Sequence, residues 1–307
     1  MDKFDNRERE LWAQVSRCEG EEKVQALMEL GHDAFHEGKH LESLAFTETA
    51  RQIYESMGAK VDSSSLGHVY RSIGWCLKEL KRFPEAAAAA HRAAAIFQEI
   101  GDSDLLRTLN EEGDYWYAAD EWEHAYSAYK LSLEAVTPDR TDELLAQTYA
   151  DCGFSLGKMK RNQEALDHFL KSREGFKKLK NPWQVAFCDE EISFFYYRLK
   201  NADQALVYAQ RALDFAELTD APYRVIWANA RMGLAKKLAG EYEEALEHLE
   251  VAKTCLLAQN KTYWPSLIKI ESVIADVYEA QGRLGEATEC RRRLKTVEET
   301  VVPDPDL

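Results

Sequence analysis

The sequence predicts an all-α solenoid of seven stacked helix-turn-helix repeats, and three observations carry that prediction. First, a small residue is followed twelve positions later by alanine or serine seven times over: Gly31/Ser43, Gly74/Ala86, Gly113/Ala125, Gly153/Ala165, Ser193/Ala205, Gly233/Ala245 and Ala275/Ala287. Second, the first members of these pairs stand 43, 39, 40, 40, 40 and 42 residues apart, a stride in the range of repeat architectures. Third, apolar residues within a repeat recur at helical spacing, as in Leu27, Leu30, Ala34 and then Leu41, Leu44, Ala45, while period-two alternation is absent.

Taken in chain order, residues 1–21 supply one short helix around residues 6–16. Residues 22–300 form the array, and 301–307, with two prolines and two aspartates, read as a flexible tail. Breakers or short polar runs close each repeat internally: Glu37-Gly38-Lys39, Lys81-Arg82-Phe83-Pro84, Lys160-Arg161-Asn162, Lys200-Asn201-Ala202-Asp203, Gly240-Glu241 and Gln281-Gly282-Arg283. Helix starts are predicted at Thr137-Pro138, Asn181-Pro182 and Asp220-Ala221-Pro222, where a capping side chain precedes a proline that needs no helical N–H. The longest expected connection runs from Gly58 to Leu66 and contains Ser63, Ser64 and Ser65.

With Lys+Arg 39 against Asp+Glu 54 the net charge is −15, a field that repels a phosphate backbone and argues against nucleic acid as a partner. The six cysteines, Cys18, Cys76, Cys152, Cys188, Cys255 and Cys290, contain no CxxC pair, which suits buried thiols in a reducing compartment. Neither a leader-like start nor a long uncharged apolar run is visible, so the cytoplasm is the expected location and no membrane partner is expected.

The pattern of small residue, apolar residue three later and alanine twelve later resembles the tetratricopeptide repeat. It is clearest in Gly74–Leu77–Ala86–Ala90–Ala93, Gly113–Trp116–Ala125–Tyr129, Gly153–Leu156–Ala165–Phe169 and Ser193–Tyr196–Ala205–Ala209–Ala212. Gly233–Ala245–Leu249–Ala252 fits with Lys236 in an apolar place. The first and last repeats depart from the pattern, as terminal repeats with one solvent-facing side do. The resemblance implies a right-handed α-solenoid or superhelix with a concave, ligand-holding groove. A stride near forty against the family's thirty-four predicts helices nearly one turn longer and a deeper groove wall. That narrows the likeness to long-repeat members, such as intracellular receptors of signalling peptides and adaptor proteins. The twenty or so residues ahead of the array are too few for a DNA-reading module.

Positions one before and three after each first small residue form a core stripe, with Glu112 and Lys236 as its polar exceptions. Positions six before, three before, one after and four after fall on the side that lines the groove in the family. There repeat two places His68, Arg71, Trp75 and Lys78; repeat three Arg107, Asn110, Asp114 and Tyr117; repeat four Phe154. Repeat five adds Phe187, Glu190, Phe194 and Tyr197 with Arg198 adjacent, and repeat six adds Trp227. Aromatics supply rigid contact area, and arginine or asparagine binds carboxylates and main-chain amides, so this set is predicted to bind a peptide. Aromatics at helical spacing also serve a core, and that alternative stays open for each ring taken singly.

His32, His36 and His40 recur every four residues, but His40 lies at a turn and no cysteine completes a metal set, so no metal is expected. The carboxylates Glu111/Glu112/Asp114 and Asp189/Glu190/Glu191 have no nucleophile or phosphate-cradling loop beside them. No cofactor and no enzymatic activity is expected. The predicted function is a protein–protein interaction module that holds a peptide or helical segment. The alternatives are a self-associating scaffold, suggested by Trp12, Trp183, Tyr263 and Trp264, and a peptide-switched regulatory sensor.

Overall fold

The computed structural model describes residues 3–58, 62–137, 140–219, 221–259 and 264–300. Among the described residues there are fifteen α-helices and no strand. They are α1 (Lys3–Arg17), α2 (Gly20–His36), α3 (His40–Met57), α4 (Ser63–Glu79), α5 (Phe83–Ile100), α6 (Leu105–Ala118), α7 (Trp122–Glu134) and α8 (Glu143–Lys158). There follow α9 (Asn162–Lys178), α10 (Pro182–Arg198), α11 (Ala202–Thr219), α12 (Pro222–Ala239), α13 (Tyr242–Leu257), α14 (Trp264–Ala280) and α15 (Leu284–Thr300). From α2 onward they form seven consecutive helix pairs. The chain divides into two compact units, an N-terminal one of Met1–Arg140 with Gln147–Lys160, and a C-terminal one of Thr141–Ala146 with Arg161–Leu307.

The twelve-residue pairing has a steric cause. A Cβ added at Gly31 would lie 3.3 Å from the Thr47 methyl and 3.5 Å from the Ser43 carbonyl, and one at Gly233 would lie 2.6 Å from Leu249 and 3.1 Å from the Ala245 carbonyl. The two helices of a pair therefore touch at these residues, and any larger side chain would hold them apart. Serine substitutes by bonding across the contact: Ser43 Oγ donates to the Gly31 carbonyl at 2.6 Å and Ser193 Oγ to that of Ala205 at 2.8 Å.

A second register accompanies the first. Seven residues beyond each first small residue the backbone turns left-handed, at Gly38, Lys81, Asp120, Lys160, Lys200, Gly240 and Gly282, with φ between 58° and 82°. The next N–H then reaches back to close the preceding helix, as from Lys39 to the Ala34 carbonyl at 2.9 Å and from Asn201 to Tyr196 at 3.0 Å.

Caps set the starts. Asp62 accepts from the Ser65 N–H at 3.0 Å, so Ser63, Ser64 and Ser65 are the first turn of α4 and the expected long connection shortens. Asn181 caps α10 by accepting from the Gln184 N–H at 3.2 Å, as predicted. Near Thr137-Pro138 the next helix begins only at Glu143, where Asp142 accepts from the Leu145 N–H at 3.0 Å. Pro138 and Asp220 lie outside the described residues, as do the side chain of Trp264, Tyr263 and the tail 301–307.

The predicted core stripe is buried through Leu30, Ile73, Cys152, Ile192, Met232 and Ile274. Its two exceptions are resolved differently. Glu112 is buried beside His91 Nδ1 at 3.1 Å, with burial pushing its pKa up, whereas Lys236 reaches outward to Glu241 and Glu244. The first helix, longer than expected, buries Leu11 against Ala26 and Leu30 and sets Trp12 edge-on to Phe46 at 5.6 Å. Most helices are long, at 17 residues in α2, α4 and α10. Repeat three is the exception, with 14 and 13 residues in α6 and α7.

Candidate functional site

The predicted groove positions all lie on first helices of the pairs. In the N-terminal unit these are α2, α4, α6 and most of α8; in the C-terminal unit, α10, α12 and α14.

In the N-terminal unit Arg71 and Arg107, adjacent in the predicted set, have separate fates. Arg71 is 6% exposed. Its guanidinium makes a two-pronged contact with Glu111 at 2.7 and 2.8 Å and a third bond to Asp104 at 2.9 Å, tying α4 to α6 and its N-cap. Arg107 is exposed. Asn110 is also buried: its amide donates to the Leu106 carbonyl at 2.7 Å and Ser132 at 2.8 Å, and its oxygen accepts from Thr148 at 2.7 Å. Both N–H groups are thereby occupied within the unit. His68 sits over the edge of this clamp, 3.7 Å from Asp104 and 5.2 Å from the Phe97 ring.

What this face leaves toward solvent is aromatic rings beside charges of both signs. Trp75 is 38% exposed, with the Arg71 guanidinium 4.9 Å from its ring. Tyr117 is half-buried against Trp122, and Lys158 of α8 lies over both rings at 6.0 and 4.9 Å. Phe154 is half-buried, and Lys78 is exposed with its amine 3.3 Å from Glu79. Asp114 is open to solvent yet crowded enough that desolvation raises its pKa, although the Tyr129 hydroxyl donates to it at 2.7 Å. Asp151, two residues before Gly153, is pushed up to about 7 by desolvation and by the Asp114 charge. Its carboxylate accepts from the Gln147 amide at 2.9 Å, and among the described residues no cation pairs with either aspartate.

At the other end of this face is a pocket of about 280 Å³ that the predicted set missed. Met28, His32 and Phe35 of α2 form one wall and Trp75 of α4 the other, with Ser43 and Thr47 of α3 at the base. The missing signal was present: positions three before, one after and four after Gly31 are Met28, His32 and Phe35. His32 and His36 meet at 3.0 Å between Nε2 atoms, and no group of three metal-ligating side chains occurs among the described residues.

In the C-terminal unit the predicted rings come together under arginines. Phe187, Phe194, Tyr197 and Trp227 are all half-buried. Phe194 and Tyr197 stack at 6.5 Å, and Arg231 lies 4.5 Å over Phe194 with Arg198 at 5.7 Å. Arg224 lies 5.5 Å over Phe187. Arg224 and Arg231, absent from the predicted set, also bond to Glu190 at 3.1 Å and Glu191 at 2.7 Å. Glu190 is 3% exposed, and its burial pushes its pKa up to about 7 against the opposing pull of Arg224 and Arg231. The Trp227 indole N–H has no hydrogen-bond partner among the described residues.

No protein-family model matches the sequence, and no curated protein matches it. Solved structures do. The chain is similar to the apo form of RapI at 16% identity, covering 90% of this chain and 98% of that one with a TM-score of 0.64. It is similar to a signal transduction ATPase with numerous domains that carries a tetratricopeptide repeat sensor, from Pyrococcus horikoshii, at 16% identity and TM-score 0.67, covering 96% of this chain and 44% of that one. It is also similar to the apo form of the quorum sensor NprR from B. thuringiensis, at 15% identity and TM-score 0.61, covering 96% and 82%. At such identities the likeness is one of fold, a helical solenoid of the tetratricopeptide type. No helix among the described residues is long and apolar enough to cross a membrane.

Proposed function

We propose that the protein is a non-catalytic binding module that holds a segment of a partner protein or a peptide on the faces of its first helices. One observation carries this reading: Trp75, Tyr117, Phe154, Phe187, Phe194, Tyr197 and Trp227 keep part of their rings at the surface, on helices whose neighbours supply charged groups. Solenoid cores seal such rings; rings left accessible beside oriented charges are the composition of recognition surfaces. The pocket between Met28, Phe35 and Trp75 suits one apolar anchor side chain of the bound segment. The sensor names of two of the structural neighbours favour a regulatory variant of the same reading, in which a signalling peptide is the ligand.

The test is selection from a displayed library of random twelve-residue peptides, followed by titration of the winners against Trp75→Ser and Trp227→Ser. Peptides should be recovered with a shared apolar anchor, and at least one variant should bind them tenfold or more weakly while unfolding at the same temperature as wild type. Recovery of no peptide, or equal binding by both variants, would remove the reading.

A further inference from the structure

We infer a second binding site, for a phosphate monoester carried on an apolar or aromatic body, in the C-terminal unit between α9, α10 and α11. An open pocket of about 560 Å³ lies there, within the range of small-molecule sites. It is separate from the first-helix face. Two adjacent residues of α10 show the division: Glu190 turns to Arg224 of α12, whereas Asp189 turns to Arg173 of α9, in the pocket wall.

The charge on this wall runs against that of the chain. Four cations, Arg173, Lys177, Lys180 and Arg211, face two carboxylates, Asp189 and Asp214, in a protein whose net charge is −15. Asp189 is buried and neutralised by Arg173, whose Nε donates at 2.6 Å and Nη2 at 3.4 Å. Asp214 accepts from the Gln210 amide at 2.7 Å. Among the described residues no carboxylate pairs with Lys177, Lys180 or Arg211; the Arg211 guanidinium lies 4.8 Å over the Tyr208 ring, which holds its plane without using its N–H groups. Three cations from α9, the α9–α10 turn and α11 thus line the pocket without a direct ion pair, and with Arg173 they outnumber its two carboxylates, of which Asp189 also feels the Arg211 charge.

The remainder of the pocket is apolar, chiefly Val185, Ala186 and Phe215. Cations beside an apolar floor match a ligand with one strongly anionic end and one hydrophobic body. A phosphate monoester brings close to two charges and three acceptor oxygens to such donors, more than a carboxylate brings. Two sources share this chemistry, a free nucleotide and a phosphorylated tyrosine side chain.

The test titrates the full chain with phenyl phosphate by calorimetry, alongside phenol and inorganic phosphate. Saturable binding of phenyl phosphate is expected, tighter than that of inorganic phosphate and absent for phenol. The double variant Lys177→Gln, Lys180→Gln, at two exposed positions, should bind at least tenfold more weakly, and Arg211→Gln should do so independently. Lack of saturable binding, or unchanged binding in all variants, would overturn the site. Displacement of phenyl phosphate by adenosine monophosphate or by a phosphotyrosine peptide then distinguishes the two sources, and either result supports the assignment.

Discussion

In the N-terminal unit Arg71 lies beneath the first-helix face, held by Asp104 and Glu111, and the carboxylates left without a counter-cation on that face are Asp114 and Asp151. In the C-terminal unit Arg198, Arg224 and Arg231 lie over the rings of Phe187 and Phe194, and the carboxylate that drops inward is Glu190. The same repeat position therefore serves two purposes. Glu190 and Asn110 both stand three residues before the first small residue of their repeats, as does Arg71, and all three are buried at 3–7% exposure. At these three repeats the position is a joint between neighbouring first helices, and its polarity reflects the partner on the next helix, Glu111, Thr148 or Arg224. Under the proposed function, recognition falls to the positions one and four after the small residue, where Trp75, Tyr117, Phe194 and Tyr197 stand. The exposed charges on the first unit's face are of both signs, Asp114 with Lys78 and Arg107, whereas arginines cover the rings of the second, so a segment bound there should present a carboxylate or main-chain carbonyls.

The sharpest way to break this comparison is to remove an arginine from each unit. Arg71→Ala strands Asp104 and Glu111 around a vacated site and should cost about 3 kcal/mol. Arg198→Ala, at a half-buried position over the Phe194 ring, should cost less, about 1 kcal/mol. Urea unfolding of both variants at neutral pH measures the difference. Equal losses would mean that the arginines of the two units have the same role.

A second effect is set by pH. The Asp151 carboxyl has a pKa of about 7 in the folded chain against an ordinary 3.8. Below pH 4 both folded and unfolded chains hold the proton and nothing is lost. Between pH 4 and 7 the unfolded chain releases it first, so stability declines as pH rises, and above 7 the loss is complete. Asp151→Asn should leave stability at pH 4 unchanged and raise it at pH 8, flattening the profile over this interval. Thermal unfolding across that range checks it. A cationic ligand on the face should have the same effect as the substitution, because it supplies the missing counter-charge.

The fold was legible because stacking forces it into the sequence: small residues must recur where helices touch, and Gly31, Gly74 and Gly233 mark those points directly. The rings of the candidate site were legible too, since a fixed register transfers from repeat to repeat. Three things were not. The burial of Arg71 and Asn110 depends on partners about forty residues away, Glu111 and Thr148, which no local pattern names. Arg224 and Arg231 lie outside the predicted groove register, and only the geometry brings them over Phe187 and Phe194. The pocket between α9, α10 and α11 takes its unpaired cations from second helices and from the turn between repeats, positions outside the groove register.

The smallest predicted effect is one in which the two units should nearly agree, and it guards the larger ones. Lys160 in the N-terminal unit and Lys200 in the C-terminal unit hold the same left-handed turn position, at φ 62° and 63°. That backbone costs a side-chain-bearing residue roughly 1–2 kcal/mol, and glycine adds about 0.5–1 kcal/mol of unfolded-chain entropy. Glycine should therefore win at both sites by about 0.5–1 kcal/mol. At Lys200 the gain is trimmed, because its amine lies 5.4 Å over the Tyr197 ring and that contact is lost. So Lys160→Gly should stabilise slightly more than Lys200→Gly, both read as shifts of the urea midpoint. A gain at one turn and a loss at the other would mean that the repeats are not equivalent even in their backbone, and the contrast between the two faces would then have a cause other than their side chains.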